Sequence, residues 1–338
     1  MSLMLERFDC KAPGDSHSDI TEKMQRAVAY YREFAPCKAL REHVRAFFSF
    51  VPRAEKSLAS RPIMREVVFG EDDSFSSPLF ADGHVSMVFS FGRACHAGGL
   101  WYDSPAGPHG KVIGAMSGVG PTSGEDRPEM LGVYFRPGRV SPFTHVPAWE
   151  LTDRIVALED LWGAAGSELP TEVSEANEAA RIDRLESVLL ARIEEGRRST
   201  IALDAAGLAA WVLRRCGRLT VQSLADAAGV SRQHLTRTFR EFVGVTPKLY
   251  CRLARFQSGL VYAGCGKNVN WAQVAIEMGY ADQSHMIAEF RQFSSLTPQK
   301  LATQQWFHPF IERARAMSRA RDCARVTGYS EVMLPLSG

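Results

Sequence analysis

The sequence predicts an α+β fold: a β-rich front domain, a helical connector, and an all-α back domain of two helix-turn-helix units joined by a linker helix. Three observations carry that reading. Between residues 30 and 150, short apolar or alternating runs are broken by Gly and Pro. After Trp149 the apolar residues recur at helical spacing. Residues 224–250 recur, with substitutions, as residues 274–301.

The runs HVRAFFSFVP, GHVSMVFSFG, KVIGAMSGVG and EMLGVYFRPG have strand length with turn residues between them, which suits a partial barrel or sandwich. Their aromatics, Phe47, Phe48, Phe50, Phe89, Phe91, Trp101, Tyr102 and Phe135, could line an apolar pocket, but alternation along strands favours core packing. In AWELTDRIVALEDLWG, Leu151, Ile155, Leu158 and Leu161 stand at steps of four and three, predicting a helix against the sheet. The segment 176–198, ANEAARIDRLESVLLARIEEGRR, sets Ile182, Leu185, Leu189 and Ile193 in a stripe among charges, with Gly196 near its end. That stripe docks either on its own domain or on the same helix of a second subunit, and the pattern leaves both open. It is too short for a coiled coil. A further helix, AAGLAAWVLRRCG, runs to Gly217, and Thr220 then stands as an N-cap before VQSLADAAG. The expected divisions are residues 1–170 for the front domain, 171–217 for the connector, 218–305 for the double unit, and 306–338 for a basic tail.

Charge follows the same division. The 338 residues carry a net charge of +2, yet residues 218–338 hold 15 Lys/Arg against 8 Asp/Glu, leaving 25 against 30 for residues 1–217. A basic back behind an acidic front suggests that the back meets a polyanion. With 45% apolar and 23% charged residues the composition is that of a globular chain. No apolar run approaches a membrane span and MSLMLERFDCKAPGDS lacks the apolar core of a leader, so a cytoplasmic protein is expected. The seven cysteines lack the close pairing of zinc or redox motifs and read as free thiols.

Placing LADAAGVSRQHLTRTFREFVGVTPKLY over VAIEMGYADQSHMIAEFRQFSSLTPQKL, with one extra residue after Gly279, pairs Ala225 with Ala275, Gly229 with Gly279, His234 with His285, Phe239 with Phe290, and Thr246-Pro247 with Thr297-Pro298. Each copy has a short helix, a glycine where the chain must turn, a cap (Ser231 or Asp282), and a second helix with an apolar inner face. In the first copy Arg232, Gln233, Thr236 and Arg237 fall on the outer face. Arg favours guanine and Gln adenine in a major groove. TPKLYCRLARFQSGLVYAG, from a Thr246 cap and Pro247 at the first helical position, supplies a spacer. About seventeen helical residues span roughly 25 Å. Successive major-groove segments on one face of DNA lie roughly 34 Å apart.

These stretches resemble the AraC/XylS family of transcription regulators over about residues 218–303, most specifically in GYADQSHMIAEFR followed by TP. The resemblance implies a bipartite DNA-binding domain. Gln233, Thr236 and Arg237 take base-reading positions in its first recognition helix, and Gln283, Ser284 and Ala288 the corresponding positions in the second. Ala288 stands where many relatives have arginine, with Glu289 beside it. Specificity is therefore expected mainly in the first unit, while the second clamps the backbone through its helix N-terminus and Arg291, as Arg240 would in the first. The implied partners are double-stranded DNA, a small-molecule effector and RNA polymerase for an activator; where the Ile182, Leu185, Leu189 and Ile193 stripe docks on its counterpart, a second subunit joins them.

Enzyme readings fit less well. His43, His84, His96, His109 and His145 lack the paired spacing of a cupin metal site, and GAMSGVGPTSG lacks the Gly-Lys-Ser/Thr of a phosphate loop. No catalytic residue, metal or cofactor is expected. A metabolite-processing front domain fused to a DNA-binding domain is the alternative.

Overall fold

The computed structural model describes residues 29–52, 63–69, 80–91, 107–120, 129–196, 204–263 and 269–303. Trp101, Tyr102, His96, the end of GAMSGVGPTSG from Pro121, the tail from residue 306, and Cys10, Cys95, Cys265 and Cys323 lie outside the described residues.

Among the described residues seven strands form one sheet: β1 (Ala29–Phe34), β2 (Val44–Pro52), β3 (Ile63–Phe69), β4 (Ser86–Phe91), β5 (His109–Ile113), β6 (Glu129–Phe135) and β7 (Ile155–Ala157). Their order is β3-β1-β2-β6-β4-β5-β7, and every neighbouring pair is antiparallel. Alternation sends Phe47, Met87, Phe89, Leu131, Val133 and Phe135 to one buried cluster, and Tyr31, Phe48, Phe50 and Val88 to another. Both faces are therefore apolar, which is why these strands read as nearly continuous runs. Gly132 lies over Phe48, where a side chain would collide with the ring; Phe48 in turn stacks on Tyr134 at 4.4 Å.

Five helices cover the first cluster: α1 (Ser141–Thr144), α2 (Ala148–Leu151), α3 (Leu158–Trp162), α4 (Ala164–Ser174) and α5 (Glu178–Gly196). The helix expected from Trp149 onward is interrupted by β7. Asp153 takes a left-handed φ of 58°, Asp153 N–H donates to Ala115 O at 3.1 Å, and Gly114 N–H donates to Arg154 O at 3.0 Å. The β-branched pair Ile155-Val156 then joins the sheet edge opposite Ile113 and Val112. A spacing of four and three matched a helix by coincidence across a turn.

On α5, Ile182, Leu185 and Leu189 are at most 1% exposed within the front-domain cluster, and Ile193 packs against it. Polar ties fix the helix to the sheet: Arg32 pairs with Glu178 at 3.2 Å, Ser49 Oγ donates to Glu178, and Cys37 N–H donates to Glu186 at 2.6 Å. This corrects the stripe's expected role as a subunit interface. Its apolar face is consumed within its own domain, where each large aliphatic side chain contributes about 1.5–3 kcal/mol of burial.

The stretch expected as one connector divides. Helix α6 (Ala205–Arg214), capped by Asp204 accepting from Gly207 N–H at 3.0 Å, buries Ala205, Ala209, Val212 and Leu213 in the back-domain core. That core also holds α7 (Val221–Ala228), α8 (Arg232–Val243), α9 (Pro247–Ala263), α10 (Trp271–Met278), α11 (Gln283–Ser294) and α12 (Pro298–Thr303). Phe80 and Ala81, just ahead of β4, are buried in it too. Ala81 N–H donates to Phe293 O at 3.0 Å, and the Gln257 amide donates to Asp82 O. Thr152 Oγ1 donates to Gly244 O at 2.8 Å. The front domain is thus fastened to both halves of the back.

Candidate nucleic-acid interface

Helix α7 begins with a capping box: Thr220 Oγ1 accepts from Ser223 N–H at 2.9 Å, and Ser223 Oγ accepts from Thr220 N–H at 3.1 Å. It ends at Gly229, whose φ of 64° is the left-handed conformation a helix C-terminus favours. Val230 N–H reaches back to Ala225 O at 3.1 Å, and Ser231 caps α8 by accepting from His234 N–H at 3.2 Å. Leu235, Thr238, Phe239 and Val243 are buried. Arg232, Gln233, Arg237 and Arg240 are exposed on the opposite side. Thr236 is half-buried, its hydroxyl donating to Arg232 O at 2.8 Å, so it offers a methyl and an acceptor.

The second unit starts on a simpler cap, Asn270 accepting from Gln273 N–H at 3.2 Å, and then repeats the turn and the second cap. Gly279 has φ 76°, Tyr280 N–H donates to Ala275 O at 2.9 Å, and Asp282 accepts from His285 N–H at 2.7 Å. Gln283, Ser284, Ala288 and Arg291 are exposed; Met286, Glu289, Phe290 and Phe293 are buried. Each predicted base-reading or phosphate-touching side chain therefore lies on the outer side of its helix, with Thr236 the least exposed.

Helix α9 holds the units together. Thr246 caps it, accepting from Leu249 N–H at 3.3 Å, and Pro247 stands at its first position. Phe256 meets Phe290 and Phe293 with ring centroids 5.0 and 5.5 Å away. Gly259 lets α11 approach: an added Cβ would stand 2.7 Å from the Phe290 ring.

Three features escaped the sequence reading. Glu289 is 4% exposed and accepts from Arg252 Nε at 2.6 Å, so it ties α11 to α9 rather than facing a DNA strand. It occupies the place of Thr238, and nothing in residue type alone told a buried carboxylate from an exposed one. Burial, then the charge of Glu289, holds the Tyr280 phenol well above its ordinary range. Lys248, Arg252 and Arg255 fall on one side of α9 and line a cleft of about 640 Å³ between the units. Their spacing of four and three stands in TPKLYCRLARF beside the apolar stripe. The docking of residues 80–84 on α9 had no sequence signal.

Residues 224–304 match the family described as "Helix-turn-helix domain", and residues 32–157 the family described as a domain of unknown function, DUF6597. No curated protein sequence matches the chain. Among solved structures, the chain is similar to ToxT from Vibrio cholerae O395, at 13% identity over 68% of this chain and 94% of that one, with a TM-score of 0.36. It is likewise similar to the P21 form of ToxT from Vibrio cholerae, at 13% identity, 68% and 94% coverage and a TM-score of 0.39. For the unsaturated fatty acid bound wild-type ToxT from Vibrio cholerae strain SCE256 the identity is 13%, the coverage 68% and 91%, and the TM-score 0.36.

Proposed function

We propose that this chain is a DNA-binding transcription regulator of the AraC type, in which the helix-turn-helix domain matched over residues 224–304 reads two successive major-groove segments with most base discrimination in α8. The observation that supports this reading is the repeated unit itself: two identically capped helices on one rigid spacer, of which the first exposes Arg232, Gln233 and Arg237 and the second Gln283, Ser284 and Ala288. Arg237 and Gln233 have the donor patterns for guanine and adenine edges. Arg240 and Arg291, one near the end of each recognition helix, are placed to touch phosphates.

The front domain acts in this proposal as the sensory half. It is bonded to the first unit through Thr152 and to the second through Ala81, so a small molecule that altered the sheet would be felt by both. An activator of this kind would meet RNA polymerase while bound. Among the described residues no helix is long and apolar enough to cross a membrane.

The test is to select DNA fragments with the purified protein and measure Arg237→Ala on the selected site and on random DNA. A bidentate base contact is worth about 1–3 kcal/mol of discrimination, so a loss of roughly 5-fold to 150-fold is expected on the selected site. Random DNA should lose far less. Equal loss on both would leave Arg237 a phosphate contact.

A further inference from the structure

The cleft between the two units is walled by Thr220 at the start of α7 and by Ala288 and Glu289 of α11, with Lys248, Arg252 and Arg255 of α9 as its floor. Arg252 is spent on Glu289 at 2.6 Å and on the Gln292 side chain. The one carboxylate of the lining is thereby matched, leaving Lys248 and Arg255 as net positive charge. Arg255 reaches Gly279 O at 3.2 Å with one guanidinium nitrogen while its buried Nε makes no hydrogen bond.

Lys248 is exposed in the first turn of α9, where the positive end of the helix dipole disfavours a cation by about 0.3–1 kcal/mol. A local cost of that kind is offset if an anion is bound there. The opposite wall contributes the N-terminus of α7, whose first amides add positive potential. One wall also carries Ala288 of the outer face of α11, so the cleft opens beside the row that faces DNA.

We infer that this cleft is a third DNA contact, seating the sugar-phosphate strand that crosses between the two major-groove segments on Lys248, Arg255 and the start of α7. The inference rests on the proposed DNA reading and deepens it. A duplex entered by α8 and α11 must carry its backbone over the gap between them, and the floor of that gap is cationic and concave. Such a contact fixes register without reading sequence. It also gives the second unit, short of base-reading side chains, a means of holding the DNA. The same phosphate chemistry in a free anion is the competing occupant.

The experiment uses the full chain and its selected site, with Lys248→Ala and Lys248→Glu as test variants, Lys248→Arg as rescue, and Lys300→Ala on α12 as a control outside the cleft. Wild-type binding to the selected site must be seen first; its absence would remove the DNA reading itself. Expected for Lys248→Ala is an equal several-fold loss on selected and random DNA, and a plot of log affinity against log salt shallower by about 0.9 per lost phosphate. Lys248→Arg should restore both. The second arm replaces the phosphates between the two contacted segments with neutral methylphosphonates. Wild type should lose affinity and Lys248→Glu should lose less, since only Arg255 and the start of α7 still face those phosphates. Equal further loss in both proteins, or an unchanged salt slope in Lys248→Ala and Lys248→Glu, overturns the inference. So does protection of Lys248 from amine acylation by inorganic phosphate alone and not by the selected duplex, which would assign the cleft to a free anion.

Discussion

The two helix-turn-helix units share a backbone and differ in what their side chains are given to do. Gly229 and Gly279 make the same left-handed turn, Ser231 and Asp282 cap at the same place, and Phe239 and Phe290 are both fully buried. The first unit then spends its outer face on Arg232, Gln233 and Arg237. The second buries a charge: Glu289, in the place of Thr238, is locked to Arg252. Even their fastening to the front domain differs. The first is held by a neutral hydroxyl, Thr152, against Gly244, whereas the second is held by a loop carrying Asp82 and His84. A duplicated fold can therefore keep its core constraints while its surface and its docking diverge, because packing tolerates little change and exposed positions tolerate much.

The sharpest way to test the shared part is to remove the two phenylalanines. Phe239→Ala and Phe290→Ala should each destabilise the protein by about 3–5 kcal/mol, the usual cost of a large cavity in a packed core. Phe290 also meets Phe256 and Trp271, at 5.0 and 6.4 Å, while Phe239 meets Tyr250 at 6.1 Å. Denaturant midpoints should fall by comparable amounts. If Phe290→Ala were nearly neutral, the second unit would not be a packed copy of the first.

The unlike fastenings give the next largest effect. Burial pushes the Asp82 carboxyl up to about 7 from an ordinary 3.8, against opposing hydrogen bonds from the backbone of His84 and Met116. Burial, and then the Arg45 charge, takes the His84 ring down to about 3 from 6.5. Between pH 3.8 and about 7 the folded chain holds the extra proton on Asp82, so this group's contribution falls as pH rises. Between about 3 and 6.5 the unfolded chain holds the extra proton on His84, so that contribution rises. The two oppose each other over most of the range, with slopes of at most about 1.4 kcal/mol per pH unit each, and the partial exposure of Asp82 trims its share. Stability of Asp82→Asn should rise from pH about 4 to about 6.5, and that of His84→Gln should fall over the same window. Slopes of one sign in both variants would show that the pair does not titrate as placed.

Legibility in the sequence followed the range of the interaction. The repeat, both turns, both caps and the linker helix depend on residues within a few positions of each other, and Gly229, Ser231, Thr246 and Pro247 were readable at once. The outer row of α8 followed from helical phase. The stripe of Ile182, Leu185 and Leu189 was visible as a stripe, but its partner was not, since an apolar face says that it must be buried and not against what. The break at Thr152 to Arg154 was missed because the turn depends on Ala115 and Gly114, nearly forty positions away. Glu289 was misjudged as a neighbour of the reading face for the same reason, its partner Arg252 lying on another helix. The Asp82 loop had no local pattern at all.

The smallest effect concerns the residues that end the two recognition helices, Gly244 and Ser295, both in left-handed conformation with φ of 94° and 60°. They are equivalent in the repeat, yet one is glycine and the other is not. The front domain supplies the reason: a Cβ on Gly244 would stand 2.8 Å from Thr152 Oγ1 and 3.1 Å from Ala148 O, whereas Ser295 is exposed. Gly244→Ser should therefore combine left-handed strain with a clash at the docking surface, costing about 1–3 kcal/mol and loosening α2 from α8. Ser295→Gly relieves a similar strain but adds freedom to the unfolded chain, so the two terms nearly cancel and the change should stay within about 1 kcal/mol. The decisive readout is proteolytic release of the back domain, which Gly244→Ser should accelerate and Ser295→Gly should leave unchanged. If both swaps released it equally, the asymmetry would lie in the helix ends themselves and not in their unequal contact with the front domain.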